Sequence, residues 1–141
     1  YGNWFGVQYA ITYFYNVYGP REISSGKYAT LIALFTKCKL ENKKLTVVSP
    51  GTQKRNFTHV EDIISGLILV GENGYGDDYG IGSEDSFTIL EIAKMFGGEI
   101  TMLPERAGNR MSADVITENT KALGWSSKWS IKEYIVNEQN I

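Results

Sequence analysis

The chain has 141 residues, of which 43% are hydrophobic and 21% charged. This length allows one domain with a proper core, and the composition is typical of a soluble globular protein without the run of roughly 20 apolar residues that a membrane span needs. The 14 basic and 16 acidic residues give a net charge of -2, so no overall attraction to nucleic acid or anionic lipid is expected. A bound anion must therefore be held by a few well-placed side chains.

Cysteine and histidine each occur once, as Cys38 and His59. A disulfide within the chain is therefore excluded, and too few soft ligands remain for a structural zinc site, so we expect no metal and a reducing, cytoplasmic location. Cys38 is interpreted as a small core residue. The chain begins with Tyr1 instead of methionine and enters a strand-like segment almost at once, so we expect it to be a piece of a longer protein.

The first elements alternate between strand and helix. Residues 9–18 are rich in β-branched and aromatic side chains at both odd and even positions, which predicts a strand covered on both faces and ended by a Gly-Pro turn. Apolar residues at helical spacing predict an amphipathic helix over residues 28–39. Residues 45–48 predict a short strand that runs into a Ser-Pro-Gly turn.

Three later helices are indicated by a Ser or Thr followed three residues later by Glu, the pattern of a capping box. The pairs are Thr58 with Glu61, Thr88 with Glu91, and Ser130 with Glu133. The middle helix is expected to end at Gly97. A strand is predicted within residues 99–105, a short helix ending at Gly124, and a glycine-rich loop over 71–82 with one brief strand at 79–81. Alternating strands and helices predict an α/β fold.

Asn16 is the first candidate for a functional role, because a polar amide in so apolar a strand needs a hydrogen-bond partner. Two interpretations are open. Asn16 either braces the turn at Gly19-Pro20, or meets a polar ligand at the carboxyl end of a sheet strand, where α/β folds place their sites.

Two arginines and one cluster near a helix start are further candidates. Arg55 and Arg106 each follow a proline-containing segment, and two guanidinium groups that converge would suit a diphosphate; a single loop arginine is more often a solvated side chain. His59, Glu61 and Asp62 lie together, but acidic residues are favoured in the first turn of any helix. We therefore favour a structural role for them over acid–base catalysis.

Several segments together resemble a known family. ITYFYNVYGPRE, TVVSPGTQKRNFTHVEDI, YGIGSEDSFTILEIAKMFGG and PERAGNRMSADVITENTKALGW resemble consecutive blocks of the nucleotide-sugar epimerases and dehydratases, the extended short-chain dehydrogenase/reductases. The resemblance covers nearly the whole chain and is strongest to enzymes similar to UDP-glucose 4-epimerase. It implies a Rossmann-type sheet, NAD as cofactor, a nucleotide-diphosphate sugar as ligand and a homodimeric parent, without nucleic-acid or membrane partners.

The resemblance also implies roles for individual residues. The main chain near Tyr15 passes the nicotinamide, Arg55 and Arg106 grip the diphosphate, and Asn16 reaches the sugar nucleotide. The other implied substrate contacts are Thr30 and Leu31 at a helix start, Thr46 and Val48 at the base, and Asn109 near the ribose. The sequence departs from the family at Asn109 and Asn56, where aspartate is usual, at Val48, where an aromatic often stacks on the base, and at Tyr13, where arginine is common.

The family's Gly-rich fingerprint, catalytic Ser or Thr and Tyr-x-x-x-Lys pair do not occur in this sequence at the places where the family has them. We therefore expect residues 1–141 to be the C-terminal, substrate-binding part of such an enzyme, with residues 9–19 a late strand of the missing Rossmann domain and no catalytic residue in the chain. The predicted parent activity is that of an NAD-dependent sugar-nucleotide 4-epimerase. A 4,6-dehydratase and a non-catalytic binding or interaction domain are the alternatives.

Overall fold

The computed structural model describes residues 2–108, 111–112 and 114–139. Strands and helices alternate along the chain, which confirms the α/β class. The elements are α1 (Gly2–Phe5), β1 (Ala10–Phe14), β2 (Val17–Tyr18), α2 (Leu31–Leu40), β3 (Leu45–Val48), β4 (Lys54–Asn56), β5 (Thr58–His59), α3 (Val60–Asn73), β6 (Gly76–Ile81), β7 (Ser86–Thr88), α4 (Ile89–Phe96), β8 (Ile100–Leu103), α5 (Glu118–Ala122) and α6 (Ile131–Gln139).

The strands of the described residues are joined in pairs. β1 pairs with β6, β2 with β5 and β3 with β8, all parallel, whereas β4 and β7 are antiparallel. Parallel pairing requires a crossover connection, and helices supply it, as in α/β proteins generally. The pairing of β3 with β8 is in full register from Leu45 opposite Ile100 to Val48 opposite Leu103, so the two strands end side by side.

The main core lies between the helices and the β3–β8 pair. Its fully buried rings include Phe35 on α2 and Phe96 on α4, which meet edge to face at 5.7 Å between centroids. Cys38 packs against this core, as predicted. The buried members of the cluster are Tyr18, Ile32, Phe35, Leu45, Val47, Phe57, Ile89, Ile92, Ala93, Phe96, Ile131 and Ile135. A smaller cluster joins Ile63, Ile81 and Trp125.

The strand predicted over residues 9–18 is two strands, β1 and β2, separated by Tyr15 and Asn16. Asn16 has a φ of 38°, in the left-handed region, which interrupts extended backbone. The described residues alone do not cover this strand on both faces, so its predicted burial on both faces stays a prediction. Ile11 is 40% exposed and Phe14 50% exposed.

The helix starts agree with the capping patterns in two cases and differ in one. Thr88 and Glu91 form the predicted capping box, and α6 begins immediately after Ser130. The N-cap of α3 is His59, not Thr58. Thr58 is fully buried in β5, and its hydroxyl accepts a hydrogen bond from Ser83 N at 3.0 Å, so its side chain is committed to the neighbouring loop.

Within the described residues, no helix combines the length and the apolar character needed to cross a membrane.

Asp62 has the structural role favoured from the sequence, but its hydrogen-bond partners were not predicted. It is 3% exposed, and its carboxylate accepts hydrogen bonds from Lys128 N at 3.0 and 3.1 Å and from Trp129 N at 3.0 Å. Trp125 donates its indole N–H to the carbonyl of Asp62 at 3.0 Å. The first turn of α3 is therefore tied to the segment that leads into α6, which argues against an acid–base role for this carboxylate.

Replacing Asp62 by Ala is expected to lower the free energy of unfolding by about 3 kcal/mol, because the backbone N–H groups of Lys128 and Trp129 lose a charged, buried acceptor. Urea denaturation measures the loss. Glu61→Ala is the control, since the exposed side chain of Glu61 lies next to Asp62 in the same turn. Equal stability of the two variants would show that the hydrogen bonds of the Asp62 carboxylate do not contribute to the free energy of unfolding.

Candidate functional site

A cavity of about 380 Å³ opens where β3 and β8 end. Its wall combines apolar side chains with two arginines. The lining residues are Leu31, Val48, Gln53, Arg55, Ile89, Arg106, Ala107 and Gly108. Ligands of open α/β sheets bind beyond the carboxyl ends of parallel strands, and this cavity has that position relative to β3 and β8.

The register of β3 and β8 explains why distant parts of the sequence meet here. Val48 lies opposite Leu103, and Ser49 N donates to Leu103 O at 2.9 Å, so the two chains leave the strands together. The segment after β3 leads to Gln53 and Arg55, and the segment after β8 leads to Arg106. The two loops therefore enter the cavity wall from adjacent starting points.

The turn after β3 is held against the start of α4. Leu90 N donates to Gly51 O at 3.0 Å, and Ile89 N donates to Gln53 O at 3.2 Å. Gly51 has a φ of 77°, and a Cβ there would lie 2.6 Å from Leu90 Cγ, so both its backbone conformation and the space require glycine. Ser49–Pro50 is a cis peptide bond. These contacts place Gln53 and Ile89 in the same wall.

Arg55 lies on β4, opposite Phe87 of β7, and is half-buried. Its Nη1 donates to the carbonyl of Lys54 at 2.7 Å, which holds the side chain against the strand. Arg106 is exposed and follows Pro104 in the segment after β8. The two arginines singled out from the sequence thus line one cavity.

Two helices begin at this cavity, because Leu31 is the first residue of α2 and Ile89 the first of α4. The N-terminal end of a helix carries a partial positive charge and unpaired N–H groups, both of which favour anions. In this chain the first N–H groups of α4 are already paired, Ile89 N with Gln53 O, Leu90 N with Gly51 O and Glu91 N with Thr88 Oγ1. The first turn of α2 contains no acidic residue, but the Glu22 carboxylate is hydrogen-bonded to its N-cap residue Thr30. The two guanidinium groups are therefore the groups that make the cavity suited to a negatively charged ligand.

Other predicted site residues are not among the residues that line this cavity in the described part of the chain. Thr30 is the N-cap residue of α2, and its hydroxyl donates to the Glu22 carboxylate, so it holds the helix start that presents Leu31. Thr46 is exposed in the middle of β3, two residues before Val48. Asn109 lies outside the described residues. The ligand roles given to these residues stay predictions.

Tyr15 lies between β1 and β2 and is half-buried. Its hydroxyl accepts a hydrogen bond from Ile116 N at 3.2 Å, and its ring is so close to Gly82 that a Cβ there would meet Cδ2 at 2.6 Å. The side chain of Tyr15 is thus fixed by contacts to Ile116 and Gly82 of the same chain. A contact to NAD, as the family resemblance implies, fits only the main chain at this position.

Asn16 is exposed, not buried as the sequence suggested, and its amide braces a strand. Its Nδ2 donates to the carbonyl of Asn56 on β4 at 3.0 Å, next to Arg55. Thr58 N donates to Asn16 O at 3.2 Å, which secures the backbone at the strand break. Asn16 thus braces β4 and not the Gly-Pro turn, and its contact to a sugar nucleotide stays a prediction.

Asn56 continues this network into the interior. It is 8% exposed, and its Nδ2 donates to Ser83 O at 2.9 Å and to Glu84 O at 3.2 Å. Both partners are carbonyl oxygens, so this position uses the N–H groups of an amide, which an ionised aspartate lacks. The departure from the family at this position thus has a local hydrogen-bonding reason.

His59 is committed to the fold. It is 2% exposed, stacks on Trp129 at 4.0 Å between ring centroids, and meets Tyr18 edge to face at 5.3 Å. Its Nδ1 accepts a hydrogen bond from Glu61 N at 3.3 Å. Burial lowers the pKa of His59, so the ring is neutral near pH 7. These contacts agree with the structural role favoured from the sequence.

Among the described residues, no three His, Cys, Asp or Glu side chains come together in a group that could hold a metal ion.

The profile of the NAD dependent epimerase/dehydratase family matches residues 1–82. This match covers more than half of the chain. The chain belongs to the NAD-dependent epimerase/dehydratase family. Membership agrees with the resemblance read from the sequence blocks, and the family is NAD-dependent by its description.

Curated relatives span several activities within this family. UDP-glucuronic acid decarboxylase 5 of Arabidopsis thaliana is 33% identical over 139 residues, covering 91% of this chain and 39% of the relative. The dTDP-L-rhamnose 4-epimerase of Burkholderia thailandensis is 26% identical over 129 residues, covering 85% of this chain and 36% of that protein. The chain thus spans about two fifths of the length of the relatives it matches.

Solved structures show the same fold. The UDP-glucose 4-epimerase of Thermotoga maritima, determined with UDP-glucose, has a TM-score of 0.89 and 26% identity over 95% of this chain and 45% of the other. The UDP-glucuronic acid 4-epimerase of Bacillus cereus, determined with UDP-glucuronic acid and NAD, has a TM-score of 0.83 and 26% identity over 99% of this chain and 46% of the other. The described α/β arrangement is therefore that of this family.

Replacing Asn56 by Asp is expected to lower the free energy of unfolding by about 2 to 3 kcal/mol at neutral pH, because a buried carboxylate would face two carbonyl oxygens. The loss should shrink at acidic pH, where a protonated carboxyl group donates one hydrogen bond. Urea denaturation at both pH values measures it, with the exposed Asn119→Asp as control. A pH-independent stability equal to wild type would contradict the assigned donors.

Proposed function

We propose that this chain is the nucleotide-sugar-binding part of an NAD-dependent nucleotide-sugar enzyme, with residues 1–141 as its substrate-binding portion. The observation that carries the proposal is the presence of Arg55 and Arg106 in one cavity, at the starts of α2 and α4. The chain covers about two fifths of its curated relatives, so the remaining length of such an enzyme is available for the cofactor and the catalytic groups.

The cavity suits a nucleoside diphosphate in two ways. Guanidinium groups are permanently charged, planar donors, and two of them match the oxygens of a diphosphate better than lysines would. Leu31, Val48 and Ile89 add an apolar part to the wall, which suits the flat face of a base. The roles proposed for Arg55 and Arg106 are therefore to hold the diphosphate, and for Leu31 and Val48 to contact the nucleoside.

The proposed architecture places β1 in a larger sheet. Within the described residues β1 pairs with β6, and its side chains at Ile11 and Phe14 are 40% and 50% exposed. An apolar strand with such exposure is suited to being covered by further protein. This supports the proposal that residues 9–19 contribute a late strand to a Rossmann sheet whose other strands belong to a preceding domain.

Among the reactions of the family, we propose sugar-nucleotide 4-epimerisation of a UDP-sugar. Bound NAD supplies reversible hydride transfer at the sugar. The residues of this chain hold the diphosphate, so the hexose itself is not clamped by them and remains able to present either face. The solved epimerases with 26% identity support this choice.

A second candidate is decarboxylation of UDP-glucuronic acid, favoured by the curated relative with 33% identity. Oxidation at C4 of that sugar creates a carbonyl group β to the carboxylate, and such acids lose carbon dioxide readily. The same diphosphate site serves both reactions. The 4,6-dehydratase and a non-catalytic binding domain stay as alternatives, and the catalytic motifs of the remaining part of the protein distinguish the binding domain from the enzymes.

The reaction is tested by incubating the full-length protein that contains this chain with NAD and either UDP-glucose or UDP-glucuronic acid. A 4-epimerase is expected to give a product of unchanged mass and altered stereochemistry at C4, measured by mass spectrometry and NMR. Loss of carbon dioxide from UDP-glucuronic acid would favour the second candidate, and loss of water from a hexose the dehydratase. No turnover of either sugar would count against an enzyme for these substrates.

Replacing Arg55 or Arg106 by Ala in the full-length protein is expected to weaken UDP binding by roughly 2 to 4 kcal/mol each, because a charge-assisted contact to the diphosphate is lost. Isothermal titration calorimetry measures the affinity. Arg21→Ala is the matched control, since Arg21 lies in a different cavity. Unchanged UDP affinity in both site variants would refute the diphosphate assignment.

A further inference from the structure

Gln53 lies in the cavity wall and has a buried side-chain atom without a hydrogen-bond partner among the described residues. It is 4% exposed, and its Nε2 donates to the carbonyl of Val48 at 3.2 Å. Its Oε1 is buried and has no hydrogen-bond partner among the described residues. Gln53 was not among the candidates chosen from the sequence, although it stands two residues before Arg55 in the segment TVVSPGTQKRNFTHVEDI.

The bond to Val48 decides which amide atom is left unpaired. Rotating the amide by half a turn would place Oε1 against the carbonyl of Val48, two acceptors facing each other. The acceptor is therefore the atom that remains without a partner. A buried polar group without a hydrogen bond is unfavourable and uncommon in folded proteins. At a ligand cavity, a bound ligand is a natural source of the missing donor.

The missing partner must carry an N–H or O–H group. The bridging and terminal oxygens of an ionised diphosphate are acceptors and cannot serve, and Arg55 and Arg106 are the suitable partners for them. The nucleoside does carry donors, namely the ring N–H of uracil or thymine and the hydroxyls of ribose. The apolar neighbours Leu31 and Val48 favour a nucleoside at this part of the wall.

We propose that Gln53 is a specificity-determining residue whose Oε1 accepts a hydrogen bond from the nucleoside of the bound nucleotide sugar. This inference rests on the proposed nucleotide site and adds a requirement to it. The site selects nucleosides with a donor at the matching position. A site with a buried acceptor discriminates strongly against an analogue that lacks the donor, since both groups are then left unpaired.

The test measures nucleotide binding to the full-length protein by calorimetry. The probes are UDP, N3-methyl-UDP, 2′-deoxy-UDP and 3′-deoxy-UDP, each of which except UDP lacks one nucleoside donor. We expect one analogue to bind wild type at least about tenfold more weakly than UDP, and that analogue identifies the base or the ribose as the source of the donor. If all the analogues bind wild type like UDP, the proposal is overturned without any need for a variant.

A variant provides the second arm. Gln53→Met preserves the approximate length and removes the acceptor, and it is expected to weaken UDP about tenfold while leaving the affinity for the discriminating analogue unchanged. Inorganic pyrophosphate should bind the variant as it binds wild type. Gln8→Met is the matched control, because Gln8 is exposed and lines a different cavity.

The outcomes separate this inference from the function on which it rests. If UDP binds wild type and depends on Arg55 and Arg106, but Gln53→Met binds it equally well, the role of Gln53 is overturned and the nucleotide site stands. If UDP and pyrophosphate both fail to bind wild type, the nucleotide site itself is overturned. Equal weakening of UDP and pyrophosphate by Gln53→Met would show a general disturbance of the cavity and would also overturn the specific role.

Discussion

The in-register pairing of β3 with β8 is the constraint on which the candidate site depends. Val48 and Leu103 end their strands side by side, so two loops far apart in the sequence begin at the same place. The turn after β3 is then fastened to the start of α4 by hydrogen bonds to Gly51 and Gln53. If this register were lost, the two arginines would move apart even if the residues around each of them stayed the same.

The site combines an apolar wall with two arginines, which supply full positive charges on long side chains. Arg55 is held against its strand by the carbonyl of Lys54, and Arg106 is exposed. One guanidinium group is thus already positioned, while the other must lose more conformational freedom when a ligand binds.

The departures from the family acquire physical meaning once partners are visible. Asn56 uses both N–H groups of its amide on two carbonyl oxygens of the loop after β6. The backbone carbonyl of Asn56 also accepts a hydrogen bond from the side-chain amide of Asn16. The strand break, β4 and the buried loop therefore form one hydrogen-bonded unit. A sequence pattern shows that such a position differs from its family, but it does not show which atoms the new side chain contacts.

Local signals in the sequence were sufficient to predict the α/β class, the capping box of α4 and the strands β3 and β8, because periodicity, capping and turn residues act over a few neighbours. The short strands β4, β5 and β7 and the break at Asn16 were not predicted, since they depend on pairing with distant segments. The same holds for the buried side chains of Thr58 and Asp62, whose hydrogen-bond partners lie 25 residues away for the Thr58 hydroxyl and 66 and 67 residues away for the Asp62 carboxylate. Only the tertiary structure brought Arg55, Arg106 and Gln53 to one cavity, because that proximity arises from strand register and not from any local preference.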